Sequence, residues 1–147
     1  MKRTKWTTLA DIALRRELAG PAFVSEEAVR IVESLAELVV DDQNFKNRPW
    51  DGLTLISQIR ERGESLSGYI YTADGRARSL IPQDREALDR FVELRSAMTD
   101  PGEPGWKVCR FRIKRADMSV SLDFEYRLSR RWEISDAQIR QSVADLE

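Results

Sequence analysis

The most regular pattern in the chain runs from Trp106 to Tyr126. Cys109, Phe111 and Ile113 alternate with Val108, Arg110 and Arg112. After a polar break, Met118, Val120, Leu122, Phe124 and Tyr126 alternate with Ser119, Ser121, Asp123 and Glu125. A period of two marks strands with one dry and one wet face. A turn around Arg115 to Asp117 predicts a hairpin, with Phe111 opposite Val120 and Cys109 opposite Leu122 on the buried side. Arg110, Arg112, Asp123 and the two serines then share a face in water, as in an antiparallel sheet backed by helices.

Upstream the period changes. Ala28, Val32, Leu35, Ala36 and Val39 recur at helical spacing, with Ser25 as cap, Glu26 and Glu27 in the first turn, and Val24 and Val29 as a staple. This helix should stop near Asp41-Asp42, and the polar segment QNFKNRPWDG should be a loop. LTLISQIR predicts a first strand, Gly63 a turn, Gly68–Thr72 a second strand, and Arg76–Leu80 a third after the Ala73-Asp74-Gly75 turn. Pro82 opens a second long helix, lined by Leu88, Phe91, Val92, Leu94, Arg95 and Met98. Pro101, Gly102, Pro104 and Gly105 forbid its continuation. Ser135 and Gln138 form a capping box for a last helix, with Ile134 and Ile139 as staple and Ile139, Val143 and Leu146 as its apolar stripe.

Residues 8–19 read as a short helix ended by Gly20-Pro21, so residues 1–20 form an N-terminal helical extension. The element order predicts one α+β domain over residues 1–147. Its antiparallel β-sheet has about five strands, with helices packed mainly on one face.

A chain of 147 residues with 41% apolar and 33% charged residues can bury one core. Its net charge of −1 gives no global pull toward nucleic acid or anionic lipid, so any such contact needs a local patch. One cysteine, no signal-peptide core and no long apolar stretch predict a cytoplasmic protein without a membrane segment. The chain has no histidine, which removes the commonest general base and the usual nucleophile pairs and zinc sites.

Candidate chemistry is therefore narrow. Cys109 falls on the inward side of its strand, where a thiol is inert. The pairs Asp41-Asp42, Asp100 with Glu103, and Glu61 with Glu64 are the acids from which a carboxylate enzyme or a Mg²⁺ site would have to be built. Each also sits where a helix end or loop is acidic in any case. Lys107, Arg110, Arg112, Lys114 and Arg115, extended by Arg127, Arg130 and Arg131, form the candidate nucleic-acid patch. No base-stacking aromatics interleave with it, and cross-strand pairing with Asp123 and Glu125 explains it equally well. Trp50, Tyr69, Tyr71, Trp106 and Trp132 remain as core residues or as anchors of a protein interface.

The helix ending in Glu93-Leu94-Arg95, the Pro/Gly loop, Trp106 and the hairpin closing on Phe124-Glu125-Tyr126 resemble the YezG-like immunity-protein (antitoxin) family. Pro49-Trp50, the paired Tyr69 and Tyr71, and Asp74-Gly75 are similar to that family's middle section, and the likeness spans roughly residues 25–135. Where members often follow an acidic-aromatic ending with acidic or small residues, Arg127, Arg130 and Arg131 stand here.

The resemblance implies a small bacterial protein that binds and silences a cognate toxin domain, often a nuclease, with no catalysis and no cofactor. On this expectation Asp41, Asp42, Asp100 and Glu103 meet basic residues of the toxin, and Trp50, Trp106 and Trp132 supply anchors. Asp41 and Asp42 serve equally as a helix end, and Trp106 as cover for the core edge. The alternative class is a nucleic-acid-binding or regulatory domain using the arginine-rich hairpin. Edge strands also leave room for a homodimer.

Overall fold

The computed structural model describes residues 25–126 and 136–146. The expected helix at 8–19, Trp132, the arginines at 127, 130 and 131, and the Ile134–Ser135 cap lie outside the described residues. The elements are α1 (Glu26–Val40), α2 (Gln43–Lys46), β1 (Gly52–Arg60), β2 (Gly63–Tyr71), β3 (Ala77–Ser79), α3 (Glu86–Ala97), β4 (Val108–Lys114), β5 (Ser119–Glu125) and α4 (Asp136–Ala144). The five strands form one antiparallel sheet in the order β3-β2-β1-β4-β5, so the fold is α+β.

β1 takes the centre because it is buried on both sides. Leu53, Leu55 and Ile59 point to one face with Ile70, Phe111, Ile113, Val120 and Leu122. α1 and α3 cover this face. The buried residues of α1 are Ala28, Val32, Leu35, Ala36 and Val39, the five that its periodicity predicts, and Ser25 Oγ accepts the Ala28 N–H as the cap. α3 buries Ala87, Phe91 and Leu94, and Phe91 meets Phe111 edge to face at 5.9 Å. Among the described residues no helix is long and apolar enough to cross a membrane.

Four local expectations are corrected. The β4–β5 register pairs Phe111 with Leu122 and Cys109 with Phe124, two residues from the expected match. The turn is four residues long, Arg115 to Met118, with Met118 at φ 55 and Asp117 accepting the Ser119 N–H. A shift of two preserves which side chains face inward, so the core set survives the error. α3 begins at Glu86 rather than at Pro82, because the Gln83 and Asp84 N–H groups are held by the Asp42 carboxylate. The expected loop after Asp42 contains one helical turn, α2, capped by Asp42 itself. β2 starts at Gly63, whose φ of 139 admits the chain directly from the Glu61-Arg62 turn.

The second face of the sheet is also only partly wet. Tyr69 and Tyr71, Thr54, Ile56, Val108 and Arg112 are buried there. α4 lies over it, with the Tyr69 hydroxyl 2.7 Å from Ser142 Oγ and Arg112 2.6 Å from Asp145. Ser142 of α4 is buried, while Ile139, Val143 and, past the helix end, Leu146 are half-buried.

Candidate protein-binding surface

The geometry of the helical layer follows from two contacts. Arg90 Nε donates to Ser34 Oγ at 3.3 Å, and the end of α1 meets the chain entering α3 at Asp42, so the two helices run antiparallel. Asp42 is 7% exposed. Its Oδ1 accepts the N–H groups of Asn44 (2.9 Å) and Gln83 (2.8 Å), and its Oδ2 accepts that of Asp84 (3.0 Å). One carboxylate thereby ties α1, α2 and α3 together through charge-assisted bonds.

Around this knot the surface is acidic. Glu37, Asp41 and Asp84, with Ser34, Gln43 and Gln83, line an open cleft of about 680 Å³. Residues 26–42 and 83–103 together hold twelve acidic and four basic residues, a net of −8 in a chain whose total is −1. Arg90 offsets part of this by pairing with Glu86 (3.1 Å) and Glu93 (3.3 Å). Among the described residues no ion pair engages Glu37, Asp41, Asp84 or Asp89. An unneutralised layer of one sign projects a local field that the net charge conceals.

The basic residues of the sheet are arranged differently. Arg110 pairs with Asp123 at 2.8 Å. Arg112 is 9% exposed and reaches both Asp145 and Asp123. Arg115 stacks on Trp50 with its guanidinium carbon 3.8 Å from the ring centroid and donates to the carbonyl oxygens of Trp50 and Arg48. The hairpin arginines that form the candidate nucleic-acid patch are thus engaged by the fold.

The expected interface residues separate into two groups. Asp41, Asp100 and Glu103 are exposed. Asp41 lies at the cleft, while Asp100 and Glu103 follow the far end of α3, roughly 20 Å away by helix rise. Asp42, Trp50 and Trp106 are instead buried, Asp42 reaching the cleft only at its edge. Trp106 is 0% exposed against Phe124, and Trp50 is 3% exposed with its indole N–H on the Phe45 carbonyl. A large apolar ring beside an open core edge is drawn inward by the area it removes from water. Glu37 and Asp84 were not singled out by sequence, although Glu33, Glu37 and Asp41 recur every four residues along one side of α1.

Titrating groups in the interior are few. Burial, reinforced by the nearby Asp123 charge, pushes the Cys109 thiol well above its ordinary value, which makes it a neutral core residue. Burial also raises the Tyr71 hydroxyl, with Thr54, Arg112 and Ser142 partly offsetting it. Among the described residues no group of three potential metal ligands occurs. Comparison with known proteins gave no matching family model and no matching curated protein.

Proposed function

We propose that this chain is an immunity-type protein, an antitoxin of the bacterial cytoplasm, that binds a cognate toxin domain and occludes it. The observation that carries this reading is the acidic helical layer whose central residues, Glu37, Asp41, Asp84 and Asp89, no ion pair among the described residues engages. A nuclease domain must present a basic surface to phosphates. An acidic layer on a rigid sheet complements that surface, speeds encounter and rejects partners of the wrong sign. Occlusion of this kind needs shape and charge and no bond-making step. The resemblance to YezG-like immunity proteins supports the same class.

The test is co-expression with the product of the neighbouring open reading frame, assayed for toxicity, followed by titration of the purified pair at rising ionic strength. Rescue of growth with stoichiometric, salt-weakened capture is the expected result. Steeply salt-dependent binding to DNA or RNA, with no capture of the toxin, would instead establish the nucleic-acid class.

A further inference from the structure

The edge of the sheet carries an inference that stands apart from the charge argument. β2 pairs with β1 along its full length, from Gly63 to Tyr71. On its outer side β3 pairs only with Tyr69, Ile70 and Tyr71, and the chain leaves the edge at Leu80, whose N–H bonds the Gly68 carbonyl at 3.1 Å. Backbone groups of a strand alternate in direction. The Leu80–Gly68 and Thr72–Arg76 bonds put Gly68 and Thr72 on the outer side, and the Asp51–Tyr71 bond puts Tyr71 on the β1 side. By that parity the N–H and C=O of Glu64 and Leu66 point outward, along a stretch that no strand flanks among the described residues. Gly63, Glu64, Ser65 and Ser67 are exposed.

Beside this stretch lies a hollow of about 440 Å³ lined by Leu66, Gly68, Leu80, Ile81 and Asn44. Ile81 is the exposed large apolar residue among the described residues, at 43%. It is held in place by the Asn44 side-chain amide, which donates to its carbonyl at 2.9 Å. An unpaired strand edge, two outward donors, two outward acceptors and an apolar hollow at one end are the parts of a strand-addition site.

We propose that Gly63–Ser67 accepts an extended segment of a partner protein, added antiparallel to β2 in line with β3. The occupant is defined by the face that each position meets. Glu64 and Leu66 share the core-side face with Leu55 and Ile59, and Ser65 and Ser67 share the other. Read from its N-terminus, the segment places an aliphatic side chain in the hollow, a polar one against Ser65, and a basic one beside Glu64. This surface is separate from the acidic cleft, and its test needs no toxin, so the two readings fail independently.

The probe is a blocked octapeptide of threonines carrying one valine and, two residues later, one lysine. Added to the full chain, it should slow amide exchange at Glu64 and Leu66 and shift resonances at residues 63–67, 80 and 81. Replacing its valine by serine should weaken binding roughly tenfold, and Ile81→Ser in the protein should do the same. Glu64→Pro removes an outward N–H without touching the β1 ladder, so it should abolish binding at an unchanged melting temperature. No shifts at millimolar peptide, or equal binding by Glu64→Pro, would overturn the proposal. So would slowed exchange at Glu64 and Leu66 without peptide that grows with protein concentration, which would assign the edge to a second copy.

Discussion

The two faces of the sheet are closed by different physics. Against α1 and α3 the contact is mainly apolar: Leu53, Leu55, Phe91, Phe111 and Leu122 pack side by side, with Ser57 as a buried hydroxyl on the same face, and the acidic side chains of those helices lie mostly on the outside. Against α4 the contact runs through hydroxyls and ions, Tyr69 with Ser142 and Arg112 with Asp145. Apolar burial stabilises in proportion to area, whereas an ion pair with one exposed partner, such as Arg112 with Asp145, returns little. The first face therefore holds the fold together and leaves its surface charge available to a partner. On the second face Arg110 and Arg112 are paired within the fold, and α4 is tied to the sheet through a hydroxyl pair and an ion pair that is half open to water.

Substitutions that break this comparison rank in order of effect. Phe111→Ala opens the apolar face under α3 and should cost about 3–5 kcal/mol in a urea melt. Asp42→Ala leaves three N–H groups without their charged acceptor and should cost about 2 kcal/mol. Faster amide exchange at Asn44, Gln83 and Asp84 would locate that loss. Ser142→Ala should cost about 1 kcal/mol, seen as faster exchange within α4 while the global melt hardly moves. A global loss as large as that of Phe111→Ala would mean that the two faces are equivalent.

The smallest effect lies at alkaline pH. Cys109 and Tyr71 are raised above ordinary values of 9.0 and 10.0 by burial, so the unfolded chain loses these protons first. The stability tied to them is complete below pH 9.0 and falls as pH rises past it, through the higher folded values. Cys109→Ala should delay the onset of that fall toward 10.0, where Tyr71 alone remains. A melt midpoint that does not change between neutral pH and strongly alkaline pH would refute this.

Much of the frame was legible because it rests on period. The core face of α1, the inward set of β4 and β5, and the Asp74-Gly75 turn follow from spacing and turn chemistry, and the structure keeps them. The misread features depend on contacts distant in sequence. Asp42 reads as the acidic end of a helix, yet its partners Gln83 and Asp84 lie forty residues on. Those partners set where α3 begins. Trp50 and Trp106 lie at loop mouths in the sequence, and only the packing of Phe45 and Phe124 shows that both are interior. The acidic surface was half legible: Asp41 was found, Glu37 lies one turn before it on the same helix and was legible from spacing, and Asp84 joins them only when α1 and α3 pack antiparallel.

The central claim is that charge on the helical layer, and not charge on the sheet, selects the partner. The direct measurement is rescue from the co-expressed toxin domain by two variants with wild-type melting curves. One carries Glu37→Lys, Asp41→Lys and Asp89→Lys, and the other carries Lys107→Glu and Lys114→Glu. The account predicts that the first loses rescue and binds at least tenfold more weakly, while the second protects like the wild type. Full protection by the first variant, or loss confined to the second, would contradict it.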